Sequence, residues 1–416
     1  MYKNHQHFCS CLLDSTKNLR ASLADSLQSE RMEEVEVKAY SPRALSEDRN
    51  GRLYWNMESL EDMPHVLGNA DPLRTLQLLP GVATNNDYTS GIHIQGCSPS
   101  QNLLDMDGAP IFNASHLLGL FSVFNTSHFR GMALVKNRHD AAFSNRLGGK
   151  LSFYPIDSIA NEVHLDATVS FMESEGTLTL PTGKHSTLYL SGRGSYLNLL
   201  YGNLLEIDEM QLRYGLQDYN LTFVQQVGAH DKIRLSLYHG QDRMNLSQED
   251  FADENKLNWQ NTAAALHWQH HSSRFILQQN ATFSRYRNTL DMGISSVSLN
   301  LSSGITQAGY AARLEWTRGN LQWNSGVEYN YYHFRPMQFE VSGSFIENET
   351  PKFREDAHEA NAYLQADISI RPSWSVLGGL RLSSYHSHGR SFISPDPRIT
   401  LNYHPSPSHT LSVHYG

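Results

Sequence analysis

Histidine and cysteine alternate in "HQHFCSC", so His5, His7, Cys9 and Cys11 would stand on one side of an extended segment. These are metal-ligating types, but structural sites pair them as Cys-x2-4-Cys and His-x3-5-His. The stretch reads as a disordered leader, and no metal is expected. "HWQHH" (267–271) raises the same question. On a strand His267 and His271 share one face while His270 takes the other, so too few ligands converge. "GCSPS" (96–100) is not the Gly-x-Ser-x-Gly of a nucleophile elbow. No Gly-rich phosphate loop and no paired catalytic carboxylates with supporting context occur, so neither an enzyme nor a cofactor is expected. Asn220, Asn245 and Asn280 each open an Asn-x-Ser/Thr pattern, which a chain rich in Asn, Ser and Thr produces by chance.

The other conspicuous stretch is "LLDMDGAPIFNASHLLGLFSVFN" (103–125), rich in Leu and Phe yet broken by Asp105, Asp107, Gly108, Pro110, Asn113, His116 and Gly119. A transmembrane helix needs about 20 consecutive apolar residues, and no window of this chain reaches that. The remaining architecture that spans a bilayer is a closed β-barrel, whose strands alternate apolar and polar residues and never look hydrophobic on average. Composition agrees. The 416 residues carry 33 Lys and Arg against 42 Asp and Glu, a net charge of −9 without a basic stripe, so nucleic acid is not an expected partner. Cys9, Cys11 and Cys97 do not make a disulfide framework. The 20 Tyr and 17 Phe suit strands. "MYKNHQHFCSCLLDSTKN" lacks the apolar core of a secretory signal, which leaves either an internal protein or a missing true start.

From residue 161 a period of two recurs. In "NEVHLDATVSF" one face is Val163, Leu165, Ala167, Val169 and Phe171, and the other is Glu162, His164, Asp166, Thr168 and Ser170. "YAARLEWTRGNLQWNSGVEYNYY" repeats this as a hairpin about Arg318-Gly319-Asn320, and 357–382 does so again. Sandwiches and propellers also alternate; the connections discriminate. Short turns at 228–231, 271–273, 319–320, 371–373 and 404–408 alternate with long polar loops near 195–210, 244–257, 288–304, 335–356 and 388–395. Short turns at one end and long loops at the other mark an outer-membrane barrel, with the short turns periplasmic. Trp316, Trp323, Tyr331, Tyr332 and Trp374 fall near strand ends, where interface girdles are expected.

Strands are expected at about 161–171, 175–182, 186–194, 211–227, 232–243, 258–270, 273–287, 305–318, 321–334, 357–371, 374–387, 396–404 and 409–416. That makes thirteen, against about 22 in plugged transporters. Single-chain bacterial barrels also have an even number of strands. The expectation is an incomplete membrane β-barrel, antiparallel and open at 161–171 and 409–416, in a truncated chain.

The first part of the chain carries a family resemblance. "MEEVEVKAY", "MPHVLGNADPLRTLQLLPGV", "GIHIQGCSPSQNLLDMDGAPIFNASHLLGLFSVFN" and "VKNRHDAAFSNRLGGKLSF" occur in that order over 32–153. Together they closely resemble the plug domain of TonB-dependent outer-membrane receptors, in the branch common in the Bacteroidetes group. The resemblance implies an α+β plug over 32–157 inside a barrel that starts at 158, with 1–31 a leader or the remnant of a preceding domain. It implies uptake of a ligand, whether siderophore, vitamin, peptide or glycan, across the bacterial outer membrane, with that membrane's lipid and a TonB-type energising protein as partners. Plug loops at Asn85, Asn86, Asp87 and Tyr88 and at Asn113, His116 and Phe121 would touch the ligand, although packing against the barrel wall is the plainer expectation for His116 and Phe121. Glu34, Val35, Glu36 and Val37 resemble the segment near the TonB box, which pairs with its partner by β-augmentation; an ordinary first plug strand explains the same residues. One departure stands out. Where the family usually carries Arg before Gly, this chain has Gln95-Gly96, so the ionic plug-to-barrel contact made there in the family is not expected. A soluble or surface-exposed β-rich binding protein with only local plug resemblance is the alternative.

Overall fold

The structure, a computed structural model, describes residues 45–47, 51–60, 63, 70–84, 91–116, 119–136, 140–143, 146–207, 210–247, 254–294, 297–343, 346–349, 353–371, 373–406 and 409–416. The proposed leader, the 34–37 segment and the loop 85–88 lie outside these residues.

Ten short strands come first: β1 (Leu45–Glu47), β2 (Arg52–Asn56), β3 (Val82–Thr84), β4 (Ile92–Ile94), β5 (Leu103–Met106), β6 (Ala109–Pro110), β7 (Ser115–His116), β8 (Phe121–Ser122), β9 (Phe129–Val135) and β10 (Lys150–Pro155). Six of them form one mixed sheet in the order β1-β2-β9-β10-β5-β6, in which β10 runs parallel to β5 and the other pairs are antiparallel. β3 pairs with β4, and β7 with β8. Strand alternation divides the sheet into two faces. Trp55, Met132, Leu134, Leu151 and Phe153 are buried on one face, where the Phe124 ring stacks on Phe153 with centroids 3.5 Å apart. Arg52, Tyr54, Lys150, Ser152 and Tyr154 occupy the other, because Arg52 and Lys150 both register with Val135 and Tyr54 and Ser152 with Ala133. Helix α1 (Pro72–Leu76) closes the core with Leu73 and Leu76. Its N-cap Asp71 accepts from the Leu73 and Arg74 amides at 2.9 and 3.1 Å, which satisfies donors that the first turn leaves open.

Asp107-Gly108 is the expected turn. Both residues have positive φ, 52° and 84°, as a tight two-residue hairpin requires, and the glycine also lets the Asn280 amide approach the backbone. Gly148 and Gly149 are closely packed as well, against Asn102 and against Ile94 with the Val135 carbonyl.

The second sheet contains β11 (His164–Val169), β12 (Glu173–Gly183), β13 (Ser186–Ser195), β14 (Glu206–Ile207), β15 (Met210–Val227), β16 (Asp231–Ser247), β17 (Glu254–His271), β18 (Phe275–Ile294), β19 (Val297–Arg318), β20 (Leu321–Gly343), β21 (Ile346–Glu349), β22 (Glu355–Arg371), β23 (Trp374–Ser387), β24 (Arg390–Ser406) and β25 (His409–Tyr415). The short β14 and β21 attach to β15 and β20; the other thirteen follow one another in chain order, antiparallel throughout, from β11 to β25. These thirteen are the expected membrane strands.

Most of the expected long loops are strand instead. β18 and β19 continue to Ile294 and Val297, and β20 continues to Gly343. The loop expected at 388–395 is a two-residue turn at His388-Gly389. Leu165 faces Leu178 across the ladder, and Asp166 faces the buried Thr177. Leu165, Val169, Leu364, Ile368 and Leu380 are exposed on the outside, whereas Glu359 is buried inside. That sidedness is the pattern lipid demands. Trp316 lies opposite Trp323 beside the 319–320 turn, and Trp374 packs on Tyr403 at 4.5 Å. Tyr332 departs from the expected girdle: it is buried on the inner face and donates to Glu359. Leu364→Arg is expected to destabilise the folded protein by about 2–4 kcal/mol at the bilayer midplane and by less toward either interface. Urea unfolding in micelles would measure it, and an unchanged midpoint would contradict the outward facing.

Candidate functional site: the plug–barrel interface

The wall touches the plug from β12 to β24. Ser127 meets Thr177 at 2.5 Å, the Asn261 amide donates to the Asn113 carbonyl at 2.7 Å, and Arg398 donates to the Phe143 carbonyl at 3.0 Å. Most of these contacts are polar, and a few of them are ionic.

The first ionic cluster is built on His116. β7 and β8 form a small hairpin tied to α1, because Asp71 accepts from the Ser122 amide at 2.6 Å and Arg74 donates to the Leu120 carbonyl at 3.0 Å. From that hairpin His116, 1% exposed, reaches the wall. Its Nδ1 lies 2.6 Å from Asp242 on β16, and its Nε2 lies 2.8 Å from Asp218 on β15. Both nitrogens can donate at once only in the imidazolium. Burial alone would lower the pKa of this group, but the two carboxylates outweigh it and raise it to about 9. The aspartates are also held from the wall itself. Asp218 accepts from Arg193 at 2.6 and 2.8 Å and from Tyr238 at 2.8 Å, and Asp242 accepts from Tyr214. Arg193 then donates to the Ser122 carbonyl at 2.6 Å, a second link to the hairpin.

His128 shows the opposite outcome for the same residue type. It is also buried, but its ring nitrogens meet hydroxyls, Ser191 at 2.6 Å and Thr222 at 2.9 Å. Burial without an adjacent carboxylate pushes its pKa down to about 3 despite the weaker, opposing field of Asp107. It is therefore neutral at pH 7.

The second cluster centres on Arg234 of β16. Its guanidinium donates to Asp107 at 2.9 Å from Nε and to Asp157 at 2.9 Å from Nη1, so one wall residue holds two plug-side carboxylates. Ser236 donates to Asp107 at 2.6 Å, and His267 lies 3.0 Å from it. Burial would raise the Asp107 pKa, but His267 and Arg234 hold it well below the usual carboxylate range. Lys232 and Arg130 complete the shell of Asp157 at 2.9 and 2.7 Å.

A third grip uses the plug backbone. Arg381 donates to the Ala141 carbonyl at 3.0 Å and to Glu328 at 2.8 Å, while the Ala141 amide donates to Gln365 at 2.7 Å. Arg398 reaches the Asp140 carbonyl from β24. These bonds depend on where the loop lies more than on its side chains.

Of the expected ligand-contacting residues, Asn113, His116 and Phe121 all lie in this interface. Asn113 accepts from the Ser115 hydroxyl at 3.1 Å and shapes the turn into β7. Phe121 is buried in an apolar cluster with Leu197, Tyr214, Leu216 and Trp259. His116 makes the wall contact just described. Asn85, Asn86, Asp87 and Tyr88 lie outside the described residues. Gln95 makes no ionic contact; it adopts positive φ, 55°, and its amide donates to the Gly81 carbonyl at 2.8 Å. The histidines of "HWQHH" divide as alternation requires, His267 toward Asp107 and His270 toward Asp231 at 2.9 Å. Asn220 is buried against the plug side of its strand. Sequence reasoning missed the wall partners Asp218, Asp242, Arg193, Arg234 and Arg381. Their only signal is a charge at an inward position in mid-strand, repeated on adjacent strands.

Comparisons with known proteins agree with this architecture. A family model described as TonB dependent receptor-like, beta-barrel matches residues 188–416. No curated protein matches the chain. Among solved structures, the outer membrane transporter YddB from Escherichia coli is similar at 15% identity and a TM-score of 0.61, over 84% of this chain and 58% of that one. The copper transporter OprC is similar at 11% identity and 0.65, over 89% and 63%. The ferric citrate transporter FecA, in its unliganded form, is similar at 14% identity and 0.65, over 88% and 62%. At such identities the likeness establishes the fold, and the chain spans between 58% and 63% of the length of these three proteins. With a family match over more than half its residues, the chain belongs to the TonB-dependent receptor-like β-barrel family.

Proposed function

We propose that the chain serves TonB-energised uptake of a ligand across the bacterial outer membrane, with the plug as the element that is pulled. The observation that carries this reading is the character of the interface. Most of the plug's apolar core is its own, and its ties to the wall are mainly ion pairs and hydrogen bonds that water can replace once they are broken, with smaller apolar contacts where Phe121 meets Leu197, Tyr214, Leu216 and Trp259 and where the core meets Tyr238, Ala263 and Ala265. A plug held in this way can leave the wall without exposing a large apolar face. Ligand would be met by the loop carrying Asn85, Asn86, Asp87 and Tyr88, and the energising protein would pair with the backbone of Glu34, Val35, Glu36 and Val37 by adding a strand. No bond in the ligand is made or broken. The full chain in micelles is expected to bind the periplasmic domain of a TonB-type protein. Val35→Pro together with Val37→Pro should weaken that binding by more than about tenfold, since each proline removes a ladder donor. Absent binding, or binding indifferent to the prolines, would remove this reading.

A further inference from the structure

The polar face of the plug sheet does not touch the wall everywhere. Opposite β18, β19 and β20 it leaves two adjoining cavities of about 60 and about 100 Å3, which share Ala142, Lys150 and Arg313. The first is closed by Arg52, Asp140 and Tyr154, and the second by Arg146, Asn280, Glu328 and Asn330. Four cationic side chains therefore face two carboxylates in a chain whose net charge is −9.

Both shared cations make only long contacts to a carboxylate. Lys150 lies 3.5 Å from Asp105, and Asp105 is already taken by the Ser152 hydroxyl and the Gly108 amide at 2.8 Å each. Arg313 reaches Glu328 only at 3.4 Å, and Glu328 holds Arg381 more closely, at 2.8 Å. Arg52 and Asp140, in contrast, satisfy one another at 3.2 Å. An ammonium from the plug and a guanidinium from the wall thus border the same polar space with donors to spare.

We propose that this gap is a binding site for a small oxyanion, a phosphate or carboxylate group bridged between Lys150 of the plug and Arg313 of the wall. The bound group would accept charge-assisted hydrogen bonds from both, with Asn280 and Asn330 offering neutral donors on the wall side. Each cavity exceeds by severalfold the roughly 10–15 Å3 that a single water needs, so an anion with its remaining waters fits. Such a ligand ties plug to wall on the strands that lie between the His116 cluster and the Arg381 grip.

Calorimetric titration of the full chain in micelles with inorganic phosphate, and separately with acetate, tests the site. One saturable, salt-sensitive phosphate site is expected, weakened at least about tenfold by Lys150→Gln and by Arg313→Gln and unchanged by Lys184→Gln on an exposed turn. Circular dichroism selects variants that retain the strand content of the parent, and either one alone is informative. Acetate binding with the same sensitivity extends the site to carboxylates, whereas phosphate binding alone restricts it to phosphoryl groups. No saturable binding of either anion, or binding indifferent to both substitutions, overturns the proposal.

Discussion

His116→Ala is expected to destabilise the docked plug by about 3–5 kcal/mol, because removing one partner of a buried ionic cluster leaves the others uncompensated. Asp218 and Asp242 would then face one another across the vacated space, with Arg193 still donating to Asp218. Hydrogen exchange over 115–122 in micelles should show the loss, and unchanged protection there would mean that the hairpin is held without the histidine. The effect has a pH signature with a definite sign. The folded pKa of His116, about 9, lies above its ordinary value of 6.5, so its contribution is fully present below pH 6.5 and is lost as pH rises through about 9. His128 acts in the other direction. With a folded pKa of about 3, it favours the docked state above pH 6.5 and opposes it increasingly as pH falls toward about 3. Plug stability should therefore peak near pH 6.5, and His116→Ala should flatten the alkaline limb alone. The charged and titratable groups around His116 are Asp218, Tyr214, Asp242, Tyr238 and Arg193 on the wall and Asp71 and Arg74 beside its own hairpin. None of the carboxylates or phenols ordinarily titrates between pH 6.5 and 9.

Arg234→Met is expected to cost about 3 kcal/mol. One guanidinium is lost from two carboxylates, but Ser236 and His267 still hold Asp107, and Lys232 and Arg130 still hold Asp157. This places the loss at the lower end of what breaking a buried pair costs. A double-mutant cycle with Asp107→Asn isolates the link, since contacting residues couple by about 0.5–3 kcal/mol while independent ones add. Strict additivity would show that Arg234 acts through Asp157 alone.

The legible part of this protein is the part governed by periodicity. Thirteen membrane strands could be counted because lipid on one side and a polar lumen on the other impose alternation on every strand, whatever its neighbours are. The Asp107-Gly108 turn could be read because only a few residue types accept positive φ. Strand ends were less legible: β20 runs to Gly343 and β24 begins at Arg390, since above the apolar band a strand needs only its ladder and any polar sequence serves. The interface was the least legible of all. His116 lies 102 residues from Asp218 and 126 from Asp242, and Arg234 lies 127 from Asp107. Such pairs are set by how far each strand is displaced along its neighbour and by which plug loop meets which strand. A lumen-facing aspartate looks the same in sequence whether it meets water, a ligand or a plug histidine. Sequence alone determined the strands, their facing and the turn; the tertiary structure decided which charges meet, because that depends on distances between segments far apart in the chain, which local pattern does not encode.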